Sequence, residues 1–169
     1  VYGDVSNIQL SMLQNEGRVE GKDRVGGLIG KVELWNRTDY IEFLGGAICG
    51  KKGSSMTVKG TEIVGGMIGE LEGGELRGTL SELYANVNGV NDVGGVVGEI
   101  TVDIGKSSSG LGCITADLPY MEGIIQGDLN VGGIVGSIER TLLYRNVYHP
   151  FGDGISPKGN ITVIGKENT

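Results

Sequence analysis

The hexapeptide Val25–Gly30, VGGLIG, decides the fold because it returns three more times along the chain. The later copies are VGGMIG at Val64–Gly69, VGGVVG at Val93–Gly98 and VGGIVG at Val131–Gly136. Each copy has glycine at three of its six positions. Glycine weakens a helix or a strand interior unless the backbone needs its small size. The repetition therefore predicts a structural requirement that recurs at each copy.

The four copies align without a gap over a longer template, V-x-G-x-x-x-V-G-G-φ-φ-G-x-φ, in which φ is aliphatic. Successive templates start at Val19, Val58, Val87, Ile125 and, for a partial fifth copy, Val163, so the spacings are 39, 29, 38 and 38 residues. We divide the chain into repeats at 19–57, 58–86, 87–124 and 125–162, with a partial repeat at 163–169. Periods of this size are typical of arrays of stacked units.

Composition favours an all-β array. The chain has 169 residues, of which 33 are glycine and only 3 are proline, and 38% are hydrophobic, enough to bury a core. We predict a parallel β-helix, or β-solenoid, built from repeats of about 29 to 39 residues, with three short strands in each coil. In this prediction the V-G-G-φ-φ-G segment is one strand, and equivalent glycines stack along a line too crowded for a Cβ. The structural repeat positions are Val25, Gly26, Gly27, Gly30, Val64, Gly65, Gly66, Gly69, Val93, Gly94, Gly95, Gly98, Val131, Gly132, Gly133 and Gly136.

The longer spacings carry about ten extra residues. A near-copy, LGGAICG, lies at Leu44–Gly50, and a fainter one, GLGCIT, lies at Gly110–Thr115. The excess is therefore either a loop or a degenerate extra coil, and spacing alone leaves both open. We expect a valine at Gly53, within this inserted stretch, to be nearly neutral.

The template resembles the GLUG motif, a repeat of bacterial surface and secreted proteins. LYANVNGVNDVGGVVG, ending at Gly98, is the stretch most similar to it, and the copies cover most of 19–169. The family includes adhesin-like proteins and the non-catalytic N-terminal region of immunoglobulin-A-cleaving metallopeptidases. The resemblance implies a structural module with an extracellular or cell-surface location, and it brings no catalytic residues with it.

Charge argues against nucleic acid as a partner. The net charge is −7, and the basic residues are scattered without the cluster that neutralises phosphates. The longest apolar runs fall short of the ~20 residues that span a bilayer, so we expect no transmembrane segment. The chain does not begin with methionine, and its last copy stops before V-G-G. We therefore expect a single-solenoid fragment, 1–169, of a longer protein that continues past Thr169 with another V-G-G and is more stable when extended.

Catalytic, cofactor and metal sites are not predicted. A zincin needs two histidines, and His149 is the only one. GKSSSG at Gly105–Gly110 lacks the earlier glycine of a phosphate loop, because Ile100 stands there. Cys49 and Cys113 lie in apolar surroundings and are read as interior thiols, with a disulfide left open. Trp35, with Tyr40 and Phe43 nearby, is read as a packed insertion rather than a ligand platform.

These observations predict a non-catalytic structural or interaction module of a bacterial secreted or cell-surface protein, adhesin-like or a spacer. Its partners would be a host protein or glycan and flanking parts of the same polypeptide. The alternative is an accessory region of a large immunoglobulin-A-peptidase-like metalloprotease, which an H-E-x-x-H downstream would identify. A polysaccharide-active β-helix enzyme would need acids clustered in a groove. The acids Asp23, Glu62, Asp92 and Asp128 are instead spread among predicted turns.

Overall fold

The structure, a computed structural model, describes residues 7–36, 39–53, 56–102, 113–114, 116–117, 119–140 and 158–167. Within these ranges the regular structure consists of strands, with no helix. His149 and Gly105–Gly110 lie outside the described residues, as does the side chain of Cys113.

The strands follow one another in coils. The first coil contains β1 (Asn7–Asn15), β2 (Val19–Glu20), β3 (Asp23–Gly26) and β4 (Ile29–Glu33). The second contains β5 (Tyr40–Gly50), β6 (Thr57–Lys59), β7 (Glu62–Gly65) and β8 (Ile68–Glu72). The third contains β9 (Glu75–Gly78), β10 (Glu82–Tyr84), β11 (Asn86–Asn88), β12 (Asn91–Gly94) and β13 (Val97–Val102). The fourth contains β14 (Cys113–Ile114), β15 (Tyr120–Gln126), β16 (Leu129–Gly132) and β17 (Val135–Arg140), and β18 (Lys158–Ile164) stacks on β15.

Strands of successive coils pair in parallel and form three sheets. Sheet 1 has ten strands, among them β5 and β15; sheet 2 has the order β16-β12-β7-β3, and sheet 3 has the order β17-β13-β8-β4. Equivalent template residues are direct partners, so Val25 pairs with Val64, Val64 with Val93, and Val93 with Val131. The predicted all-β parallel solenoid, with its V-G-G segments side by side, is confirmed.

The prediction that V-G-G-φ-φ-G forms one strand is wrong. In the first copy β3 ends at Gly26 and β4 begins at Ile29, so Gly27 and Leu28 form the corner between sheets 2 and 3. The corner is tight because the amides of both Leu28 and Ile29 donate to the Met67 carbonyl of the next coil, at 2.9 and 3.0 Å. A flat strand cannot direct two consecutive amides at one oxygen, whereas a bend can.

The motif glycines are required for close backbone approach rather than for left-handed backbone. A Cβ on Gly65 would lie 1.7 Å from the Ile68 carbonyl oxygen of the same corner. A Cβ on Gly66 would lie 2.1 Å from the Gly95 carbonyl oxygen of the next coil. Real Cβ atoms do not approach oxygens this closely, so only glycine fits both positions.

Left-handed backbone occurs instead at the residue before each motif valine. Arg24, Ile63, Asp92 and Asn130 have φ values of 52°, 50°, 50° and 50°. Aspartate and asparagine tolerate this region, but the β-branched Ile63 is strained there. Because none of these four residues is glycine, the sequence does not reveal their positive φ.

The ten-residue excess of the first spacing is divided among extensions along sheet 1 rather than forming an extra coil. Leu44–Gly50 lies within β5, which pairs with β9 and β10 of the following coil. Two extensions flank β5: a corner between Glu33 and Tyr40, and a loop between Gly50 and Met56. In the third spacing the excess falls between Val102 and Cys113, outside the described residues.

The core lies inside the coils and is formed by template positions in register. Val58 pairs with Val87 and Leu71 with Ile100, and all four side chains are 0% exposed. At the first coil, a groove of about 220 Å³ lies beside β1 and β4 and opens onto this core. Its lining is mostly apolar and also includes Lys31 and Glu33.

A charged ladder on sheet 3 as the candidate functional site

The densest set of charged side chains in the described residues lies on the face of sheet 3 opposite the core. Side chains alternate along a strand, so with Leu71 in the core, Glu70 and Glu72 lie on the other face. Parallel register stacks Lys31, Glu70, Glu99 and Ser137 in one row, and Glu33, Glu72, Thr101 and Glu139 in the next. We call these two rows the charged ladder.

At the first and second coils, two cations offset most of the ladder's negative charge. Arg24 Nε lies 2.5 Å from Glu70 Oε2, and Lys31 Nζ lies 2.6 Å from Glu72 Oε2 and 3.4 Å from Glu70 Oε2. Thr101 Oγ1 donates to Glu70 Oε1 at 3.2 Å. The Glu70 side chain is only 5% exposed, so these partners replace the water that its carboxylate has lost.

The pKa values of both cations rise in this cluster. For Arg24 the hydrogen bond to Glu70 is the main cause, since it stabilises the charged guanidinium. For Lys31 desolvation lowers the pKa, but the hydrogen bond to Glu72 and the charges of the neighbouring carboxylates outweigh it. Both side chains therefore remain cationic throughout the physiological pH range.

At the third coil the ladder has excess negative charge. Glu99 is 9% exposed, and its carboxylate Oε1 accepts a 3.4 Å hydrogen bond from Ser137 Oγ. Desolvation, together with the charges of Asp92, Glu70 and Glu139, raises its pKa to about 7, while the Ser137 bond lowers it only in part. Glu99 thus exchanges a proton near neutral pH.

Beside the ladder runs the row of left-handed residues, Arg24, Ile63, Asp92 and Asn130. Asn130 Nδ2 donates to Asp92 Oδ1 at 2.9 Å, which joins the third and fourth coils. Arg24 also contacts Asp23. Polar residues at three of these positions link neighbouring coils or carboxylates, whereas Ile63 has no polar side-chain atom to offer.

The aromatic residues singled out in the sequence do not form one platform. Phe43 is 1% exposed and Trp35 is 51% exposed. The Arg77 guanidinium lies over the Tyr40 ring, with its Cζ 4.2 Å from the ring centroid. A second aromatic pair, Tyr84 with Tyr120, lies across two coils with ring centroids 5.7 Å apart. Its two members are far apart in the sequence, so only the coil register brings them together.

Cys49 is a free interior thiol, as the sequence suggested. Its Sγ donates to the Gly66 carbonyl at 3.0 Å and contacts Met56 Sδ at 3.8 Å. Burial raises the pKa of the thiol to about 12. Since the thiolate is the reactive form, Cys49 is a packing residue rather than a nucleophile.

No group of three or more His, Cys, Asp or Glu side chains in the described part of the chain is placed to hold a metal ion. Over the same residues, no helix long and apolar enough to cross a membrane occurs.

The predicted repeat positions and the charged ladder are different parts of the coil. The motif of the first copy ends at Gly30, just past the corner between sheets 2 and 3, and the ladder begins at the next residue, Lys31. Sequence reasoning missed the ladder because it considered only the acids of the predicted turns, Asp23, Glu62, Asp92 and Asp128, and assigned no role to the glutamates that follow the motif. The aligned template contains the signal, because Lys31, Glu70, Glu99 and Ser137 all occupy the variable position that follows its last glycine.

Comparison with known proteins adds no relative. No protein-family model matches the chain, and no curated protein or solved structure matches it. The fold described above therefore rests on the chain itself, and the GLUG resemblance stays a prediction.

Proposed function

We propose that the chain is a non-catalytic structural and interaction module, a β-solenoid segment of a bacterial secreted or cell-surface protein. In this role it is a spacer or an adhesin-like stalk that holds other parts of its polypeptide apart. The observation that carries the proposal is the in-register stacking of four template copies over one continuous core. Stability in such arrays comes from neighbouring coils, so a rod can lengthen by adding coils.

The distribution of constant and variable positions supports this role. Core positions repeat from coil to coil, as in Val64 and Val93, whereas the outward row changes from lysine through glutamate to serine. A scaffold needs the first set to be uniform and tolerates change in the second. A host protein or a glycan is the partner class we propose, since no basic patch suits nucleic acid.

Surface labelling tests the location. Antibodies raised against the purified chain should label intact cells of the source organism or detect the protein in the medium, and external protease should remove the label. Labelling that requires cell lysis would contradict a surface or secreted role. The purified chain should also be screened against matrix proteins and glycans, with denatured chain as the control.

The resemblance to a metallopeptidase accessory region stays an alternative prediction. Reading the gene downstream for H-E-x-x-H tests it.

A further inference from the structure

The charged ladder changes character between adjacent coils, and Ile63 is the reason. Arg24 precedes its coil's ladder residue, Lys31, by seven positions, and Ile63 precedes Glu70 by the same seven. Register makes Arg24 and Ile63 equivalent, since Asp23 pairs with Glu62 and Val25 with Val64. Arg24 reaches across to Glu70 on the second coil. Glu99 on the third coil stands in the same position relative to Ile63 as Glu70 does relative to Arg24.

Glu99 therefore has a hydrophobic residue where Glu70 has an arginine. In the residues described, no lysine or arginine lies within ion-pair distance of Glu99. The groups that face it are Glu70 on β8, Asp92 on β12, and Ser137 and Glu139 on β17, with Arg24 more distant and already bound to Glu70. Three of these are acids.

We propose that Glu99 and its carboxylate neighbours form a proton-sensitive joint between the second, third and fourth coils, and that uptake of one proton by Glu99 tightens the stack. The protonated carboxyl no longer repels Glu70, Asp92 and Glu139, and it gains an O–H that can donate to a neighbouring oxygen. This property does not depend on the proposed surface role. It would make the coil stack firmer in mildly acidic surroundings than in alkaline ones.

The sign follows from proton linkage. The pKa of Glu99 is about 7 in the folded chain, above the 4.5 of an unperturbed glutamate. Between these values the folded chain binds more protons than the unfolded one, so stability falls as pH rises. From about pH 5.5 to about pH 8 the unfolding equilibrium constant should rise roughly 25-fold from Glu99 alone.

Urea unfolding of the full chain at these two pH values tests the joint, with four variants. Glu99→Gln should abolish most of the 25-fold change. Ile63→Arg should reduce it, because an arginine there can pair with Glu99 as Arg24 does with Glu70. Ile63→Asn is the matched control: it relieves the left-handed strain without adding charge, so it should be more stable at both pH values and keep the change. His149→Gln removes the only histidine and should also keep it.

A second measurement follows the carboxyl group directly. Carbon NMR of the glutamate side chains should show one carboxyl that titrates near neutral pH, and that signal should be missing in Glu99→Gln. A pH dependence that persists in Glu99→Gln, or a Glu99 carboxyl that titrates at the ordinary glutamate pKa, would overturn the proposal. An Ile63→Asn variant that loses the pH dependence would assign the effect to backbone strain and overturn it equally.

Discussion

Replacing Gly95 by alanine should destabilise the chain strongly, while the same change at Gly133 should not. The two glycines occupy the same template position in successive coils. A Cβ on Gly95 would lie 2.2 Å from the Gly133 carbonyl oxygen, 2.5 Å from Met121 Cε and 2.7 Å from Ile125 Cδ1. Among the described residues, a Cβ on Gly133 would meet only side-chain ends, Ile161 Cδ1 at 3.0 Å and Val163 Cγ2 at 3.7 Å.

The magnitude follows from what must move. To admit the methyl group at Gly95, the corner of the fourth coil has to shift outward by about 1 Å, to ordinary van der Waals distance. This weakens the hydrogen bonds from Gly95 N to Gly132 O and from Val96 N to Ile134 O, at 3.1 and 2.9 Å. Two weakened bonds at about 1 kcal/mol each, with about 1–3 kcal/mol for overpacking, give about 3–5 kcal/mol.

The assay is thermal and urea unfolding followed by circular dichroism. Gly95→Ala should lower Tm by roughly 6–20 °C, since 1 kcal/mol corresponds to about 2–4 °C for a chain of this size. Gly133→Ala should cost less than about 1 kcal/mol because the ends of flexible side chains can move aside. Equal losses at the two sites, or no loss at Gly95, would refute the explanation of the motif glycines by contact between coils.

Three further predictions follow from described contacts. Arg24→Gln should cost about 1–2 kcal/mol in urea unfolding because it leaves the buried Glu70 carboxylate with one cation fewer. Arg18→Gln is the control and should cost almost nothing, since its pair with Glu20 is more than half exposed. Equal losses in the two variants would contradict this prediction. In a Cys113→Ser background Cys49 should react with a thiol reagent only on unfolding, so rapid labelling of the folded chain would show that the thiol is accessible. Gly53 has open space around it but a φ of 77°, which asparagine tolerates better than valine. Gly53→Val should therefore cost about 1–2 kcal/mol and Gly53→Asn less than about 0.5 kcal/mol. Equal stability of the two variants would contradict the left-handed assignment.

The last of these predictions corrects the expectation that valine would be neutral at Gly53. The sequence identifies Gly53 as part of an inserted, polar stretch, and the absence of neighbours within 4 Å agrees with that. Backbone handedness is not visible in composition, because glycine is used both for positive φ, as here, and for close approach, as at Gly66. The two uses separate only when φ and the neighbouring atoms are known.

The fold was predictable because its determinants are local and repeated. Val64, Gly65 and Gly66 fix a corner within one coil, and the period then implies that equivalent corners stack. The corner itself was misplaced as a strand, since V-G-G-φ-φ-G is apolar enough to read either way. The ladder was missed for a different reason: Glu70 and Glu99 are 29 residues apart, and only the register makes them neighbours.

The length of the coil is fixed on one side only. The segments Val19–Glu33, Val58–Glu72, Val87–Thr101 and Ile125–Glu139 each have fifteen residues and pair in register along sheets 2 and 3. In the described residues, the extra length of the first repeat falls between Glu33 and Met56, at or beside sheet 1. The part of each coil that runs through sheets 2 and 3 thus has a constant length, whereas the part along sheet 1 accepts inserted residues. A foreign peptide inserted between Gly50 and Met56 should therefore be displayed beside sheet 1 at the second coil, and the register of sheets 2 and 3 should not change.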